Sequence, residues 1–115
     1  IADAHHLGVQ VGLAVNPETP ITSILHFVPD LDYVLIMTVH PGKQGQYFHA
    51  EALKKVSYLR TRYPSLSIGV DGGVTLESAP LASHAGASIL VAGSAIYWSE
   101  HPQDAMRALQ KKVNV

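Results

Sequence analysis

Two kinds of stretch alternate along this chain: short apolar runs, and longer segments in which apolar residues recur every three or four positions. Val9 to Val15, Tyr33 to Val39, Ser67 to Val70 and Ser88 to Ala92 are runs of the first kind. They are too short for helices, rich in β-branched residues and closed by Gly, Pro or Asn, so each predicts a buried strand. Ala50 to Tyr63 is the clearest segment of the second kind. Ala52, Val56, Leu59 and Tyr63 share one face there, while Glu51, Lys54, Lys55 and Arg62 fall largely on the solvent side, and Pro64 ends the helix. Three more helices are predicted. One runs from Ile21 to about Phe27, capped by Thr19 with Pro20 at its first position. The next carries Pro80 in its first turn, runs to His84 and stops at Gly86. The last spans about Pro102 to Val113, with Ala105, Met106, Leu109 and Val113 turned inward. Ile1 to Leu7 reads as the last turns of a helix stopped by Gly8.

The resulting order is strand and helix in strict alternation with short connections, which predicts an α/β fold with a parallel sheet and right-handed crossovers. Two architectures fit: a small doubly wound sheet, or four units of a (β/α)8 TIM-type barrel. Each strand ends in a loop bearing Gly or Pro, at Asn16-Pro17, Pro41-Gly42, Gly72-Gly73 and Gly93-Ser94. In such barrels phosphate often sits between the loops after strands seven and eight. The last two loops have that character. If they are loops seven and eight, residues 1–115 form one domain, the C-terminal half of a barrel.

Composition narrows the partners. Net charge is −1 and no basic or acidic run occurs, so nothing predicts a nucleic-acid surface. No apolar stretch approaches ~18 residues, so no membrane-spanning segment is expected. The chain has no Cys, which excludes thiolate metal sites and fits a cytoplasmic setting. It opens inside a helix, with neither an initiator Met nor a signal-peptide pattern, which reads as a piece of something longer.

Chemistry centres on Asp71. It ends an apolar strand, and Gly72 and Gly73 follow at once, so backbone N–H groups can approach a ligand with no side chain between. An isolated Asp-Gly is most often an ordinary turn; the repetition of this layout along the chain is what favours a site. No other carboxylate lies at a strand end: Glu18 and Asp30 fall in loops, Glu51 and Glu77 in helices. The backbone of Gly72-Gly73 and Gly93-Ser94, with a helix N-terminus after Gly93, can hold a phosphate dianion. His5 and His6 are adjacent and point apart on a helix, so they form no metal pair. His40 reads as a loop residue near the site, able to serve as polar lining, and His26, His49, His84 and His101 as surface positions. Met37 reads as core on spacing alone. No Lys sits at a strand end, which counts against Schiff-base chemistry: Lys54, Lys55, Lys111 and Lys112 lie on helices and Lys43 in a loop.

Taken together, Met37-Thr38-Val39-His40-Pro41-Gly42, Gly45-Gln46, Val70-Asp71-Gly72-Gly73, Ala85-Gly86-Ala87 and Val91-Ala92-Gly93-Ser94-Ala95-Ile96 resemble the ribulose-phosphate 3-epimerase family, along the whole chain and in order. The resemblance implies a barrel isomerase of the pentose phosphate pathway that interconverts ribulose 5-phosphate and xylulose 5-phosphate. Two aspartates on opposite faces of the sugar exchange the C3 proton, and a divalent metal (zinc, iron, manganese or cobalt) steadies the enediolate. By resemblance Asp71 is one of those aspartates and a metal ligand. Gly42, Lys43, Gln44 and Gly45, with Gly72, Gly73, Gly93 and Ser94, form the phosphate loops, and Met37 lines the site. Lys43 and Gln44 depart from the family's Phe and Gly; the first can add a charge near phosphate, the second puts a side chain where backbone was bare. The family's other Asp, its two His ligands and a nearby Ser and Leu have no counterpart here. The chain is therefore expected to act as part of an epimerase, paired with a second copy or with an N-terminal half. The alternative is a catalytically silent half-barrel that binds a sugar phosphate or a partner chain.

Overall fold

The computed structural model describes residues 1–40 and 47–113. Four strands, β1 (Gly12–Val15), β2 (Tyr33–Met37), β3 (Ser67–Asp71) and β4 (Ile89–Val91), form one sheet in chain order, every neighbouring pair parallel. The helices are α1 (Ala2–His6), α2 (Leu53–Arg62), α3 (Ser78–Ala85), α4 (Ser94–Tyr97) and α5 (Pro102–Val113). Parallel strands need crossovers, and α2 and α3 supply them between β2 and β3 and between β3 and β4.

Side chains separate onto two faces according to register. Val34 pairs with Leu13 and Ile68, and Ile36 with Val15 and Val70. Val15, Val34, Ile36, Ile68 and Val70 are fully buried against Val56 and Leu59 of α2, Ala79 and Ala82 of α3 and Leu109 of α5. The other face carries Ala14, Tyr33, Leu35, Met37, Gly69, Asp71, Ile89 and Val91, and no described helix covers it. Tyr33, Ile89 and Val91 are 39%, 45% and 42% exposed there. Gly69 is required on that face: a Cβ would lie 2.9 Å from Leu35 Cδ1 and 3.6 Å from Ile89 Cβ.

Three expectations are corrected. The helix expected over Ile21 to Phe27 is a pair of 3-10 turns, Ile21–Ser23 and Val28–Asp30. Prolines 20 and 29 bracket a segment too short and too β-branched to nucleate an α-helix. Thr19 makes no cap; Ser23 Oγ instead donates to the Pro20 carbonyl at 2.6 Å. The long helix enters through a 3-10 turn at Ala50–Ala52 and is α-helical only from Leu53. Met106 is not inward but 45% exposed, while Leu109 is buried.

Two polar side chains fasten helices to the sheet's ends. Lys55 Nζ of α2 donates to the carbonyls of Asn16 (2.9 Å) and Pro17 (2.7 Å), holding the loop after β1. Arg60 Nε donates to the Gly86 carbonyl at 2.9 Å, joining the C-terminal ends of α2 and α3. Gly86 has φ +119°, the left-handed helix stop expected of it.

Candidate functional site

Because all strands run one way, their C-terminal ends open on a single edge, where α/β barrels keep their chemistry. Asp71 ends β3, the third strand of the sheet, and its register partners are Met37 of β2 and Val91 of β4. The three side chains therefore stand in a row on the uncovered face. Asp71 is half-buried, and no described residue hydrogen-bonds its carboxylate. Met37, which spacing alone read as core, is half-buried on the same face beside it.

The turn above Asp71 is built tightly. Thr38, fully buried, donates its backbone N–H to the Asp71 carbonyl at 2.9 Å and its hydroxyl to the Gly72 carbonyl. Gly72 has φ +124°, and a Cβ there would lie 2.4 Å from Val39 Cγ2. Gly73 has φ +67°, and its Cβ would lie 3.0 Å from the Phe48 backbone. Ser78 Oγ then donates to the Gly73 carbonyl at 2.9 Å and accepts the Thr75 N–H at 2.8 Å, while Thr75 Oγ1 accepts the Ser78 N–H. This reciprocal bonding, in the manner of a capping box, starts α3 and fixes the glycines in place. The sequence signal for it is Thr75 three residues before Ser78.

Gly93 differs. It lies two residues past Val91 as Gly73 lies two past Asp71, so the two loops leave the sheet at the same level. Nothing lies within 4 Å of a Cβ placed on Gly93, and Ser94 is exposed at the start of α4. Gly72-Gly73 and Gly93-Ser94 thus leave neighbouring strands at the same edge as Asp71. Gly42, Lys43, Gln44 and Gly45 lie outside the described residues.

At the β1 and β2 end of the rim, His40 Nδ1 is 3.3 Å from Glu18 Oε2, and the His40 and His49 rings meet edge to face at 5.2 Å. On the opposite edge of the sheet, Asp32 accepts the Val11 N–H at 2.6 Å and faces His5 Nε2 at 2.9 Å. The Val11 hydrogen bond, with His5 second, holds the Asp32 carboxyl below its ordinary value. Burial pushes the Lys55 ammonium below its ordinary value, with the Glu18 charge opposing. Sequence reasoning passed over Asp32 and read Lys55 as solvent-facing, since both partners come from remote parts of the chain.

Among the described residues no group of three or more His, Cys, Asp or Glu side chains can hold a metal ion. Asp71 offers one carboxylate, which by itself does not make a metal site. The described residues of this chain therefore supply at most one ligand to the divalent metal that the resemblance implies.

Four parallel strands joined by crossover helices, with a half-buried acid at one strand's C-terminal end, are the architecture of half a (β/α)8 barrel. A 3-hexulose-6-phosphate synthase structure from Salmonella typhimurium superimposes with a TM-score of 0.73 at 16% identity, over 98% of this chain and 53% of that one, which bears on fold alone. The model of the ribulose-phosphate 3 epimerase family matches residues 1–97, and the chain belongs to that family. It is 46% identical to the ribulose-phosphate 3-epimerase of Schizosaccharomyces pombe over 113 residues, covering 98% of this chain and 50% of the relative. It is 40% identical over 109 residues to the cytoplasmic isoform of Oryza sativa, covering 92% and 48%. The chain spans about half the length of the curated relatives it matches.

Proposed function

We propose that this chain is the C-terminal half of a ribulose-phosphate 3-epimerase barrel, and that Asp71 is one of the two groups that exchange the C3 proton between D-ribulose 5-phosphate and D-xylulose 5-phosphate. One observation carries the reading. Asp71 stands half-buried at a strand's C-terminal end, in register with Met37 and Val91, with Gly72-Gly73 and Gly93-Ser94 at one level above it.

The chemistry assigned to these residues is limited and definite. Phosphate rests on the backbone N–H groups of Gly73, Gly93 and Ser94, where no Cβ intervenes at either glycine. That anchors the sugar so that its C3 lies over the row formed by Met37, Asp71 and Val91. The Asp71 carboxylate accepts the C3 proton on one face while the electron pair moves to the C2 carbonyl oxygen, giving the enediolate. An acid on the opposite face returns a proton to C3, and that inverts the centre. Met37 and Val91 flank the carboxylate with apolar surface and limit its access to water. The opposing acid is not among the strand-end residues of this chain. Lys55 is not free for Schiff-base chemistry, since its ammonium is committed to the Asn16 and Pro17 carbonyls; this argues against an aldolase.

The test uses a barrel completed with the first four βα units of the Schizosaccharomyces pombe relative. Asp71→Asn in that barrel is expected to lower C3 proton exchange by at least ~10²-fold while leaving the thermal midpoint unchanged. Turnover within a few-fold of the unsubstituted barrel removes Asp71 from the chemistry. The described residues contain no helix long and apolar enough to cross a membrane, and the cytoplasmic rice relative supports a cytoplasmic location.

A further inference from the structure

Among the described residues only two polar side chains are buried, Thr38 and Ser78, and both hydroxyls donate to the same short turn. Thr38 is fully enclosed and gives its hydroxyl to the Gly72 carbonyl, and Ser78 gives its own to the Gly73 carbonyl at 2.9 Å. Burying a hydroxyl is costly unless it is hydrogen-bonded. Both of these are committed to the loop that follows Asp71, and none to the core beneath it.

The peptide between Gly72 and Gly73 explains the need. Turning that peptide plane changes only ψ of Gly72 and φ of Gly73, and neither residue has a Cβ to resist the turn. Sterics therefore do not choose its direction, and a hydrogen bond must. The chain has no cis peptide bond, so the Gly72 C=O and the Gly73 N–H point opposite ways. Fixing the carbonyl fixes the N–H. Thr38 follows Ile36 by two positions and is fully buried like it, on the helix-covered side of the sheet. A Gly72 carbonyl turned toward Thr38 aims the Gly73 N–H away from that side, toward the face that carries Asp71 and Met37. Among the described residues no backbone acceptor takes that N–H.

Thr38 can hold this direction because it is itself held. Its backbone N–H donates to the Asp71 carbonyl at 2.9 Å, and its own carbonyl accepts the His49 N–H at 2.7 Å. One residue thus bonds two successive carbonyls of β3 and its turn, that of the acid and that of the glycine after it. We propose that Thr38 is a positioning residue for the phosphate group: its hydroxyl aims the Gly73 N–H at the anion, while its backbone N–H keeps Asp71 at a set distance below. The phosphate named here rests on the reading in the previous section. The division of labour within Thr38 gives the test its form, since one of its two donors can be removed without the other.

In the barrel completed with the first four βα units of the Schizosaccharomyces pombe relative, Thr38→Val removes the hydroxyl and keeps the backbone N–H. It is expected to raise KM for ribulose 5-phosphate at least ~10-fold with kcat little changed. Thr38→Ser, which returns the hydroxyl, is expected to bring KM back. A hydroxyl that only steadies the turn would lower the thermal midpoint and leave KM alone. That result overturns the proposal, as does a loss confined to kcat or a Ser variant that does not recover. A second measurement needs no variant. Titration of the unsubstituted barrel with inorganic phosphate, followed by amide nuclear magnetic resonance, is expected to shift the Gly73 resonance together with those of Gly93 and Ser94. Shifts at Gly93 and Ser94 without one at Gly73 keep the phosphate reading and remove Thr38 from it. No shift at any of the three removes that reading, and the proposal falls with it.

Discussion

Gly72 and Gly93 look alike in the sequence and differ in what a side chain would meet. At Gly72 a Cβ would run into Val39, and the backbone sits at φ +124°. Gly72→Val is therefore a folding variant, expected to destabilise by about 1–3 kcal/mol from strain and overpacking, and denaturant unfolding measures it. At Gly93 nothing obstructs a Cβ, so Gly93→Val should keep the unfolding midpoint and weaken sugar-phosphate affinity at least ~10-fold by calorimetry. Equal affinity would remove that loop from the phosphate site. Asp32 is a second case where a residue's role depends on a remote neighbour. Its carboxyl is held below the ordinary value by the Val11 N–H and then by His5. A depressed folded value means stability that is full above the unfolded value and is lost as pH falls through the folded one. Asp32→Asn should accordingly flatten the decline of stability on the acid side of the ordinary carboxylate range, and a series of melting curves against pH reads this directly. An unchanged slope would mean the Asp32 contacts do not persist in solution.

At the level of elements, α2 is where pattern and packing agree. Ala52, Val56 and Leu59 were placed on one face by 3.6-residue spacing, and all three are buried. Leu59 is fully enclosed, so Leu59→Ala is expected to cost about 2–5 kcal/mol in equilibrium unfolding; a loss below ~1 kcal/mol would mean that the site collapses around the missing atoms. The connection between β1 and β2 is where they disagree. Ile21, Ile24 and Val28 have helix-like spacing, and Ile24 and Val28 are buried, yet the backbone makes two 3-10 turns. Spacing reports which side chains go inward, and a 3-10 turn serves that as well as an α-helix when prolines shorten the segment. Lys55 then supplies from α2 the anchorage this connection lacks. Lys55→Met should lower the thermal midpoint by a few degrees, with the largest gain in hydrogen exchange near Asn16 and Pro17.

For the molecule as a whole, the sheet has one face built for helices and one built for something else. Asp71, Met37 and Val91 belong to the second face, so the candidate site and the uncovered surface are the same surface. An isolated single copy should therefore show no enzyme-like C3 exchange, because only one strand-end carboxylate is present. Adding the first four βα units of the Schizosaccharomyces pombe relative should restore turnover, since they would complete the barrel and supply the opposing acid. Exchange at an enzyme-like rate in a verified monomer would overturn the requirement for an opposing acid.

The strands, the parallel order and the Asp71-Gly72-Gly73 turn were legible from the residues, because each rests on local chemistry: β-branched runs, an acid at a strand end, glycines where φ must be positive. The family was legible too, since its motifs are short and keep their order. What only the tertiary structure decided is which partners meet across the sheet. Parity along a strand separates two faces but does not say which one the helices cover; the register of Val34 with Ile68 and of Met37 with Asp71 does. The opposite demands on Gly72 and Gly93, the Asp32 and Lys55 attachments, and the exposure of Met106 all depend on groups 21 to 39 residues away or on helix packing. Such contacts are fixed by the closure of loops and the docking of helices, and the local pattern carries no record of them.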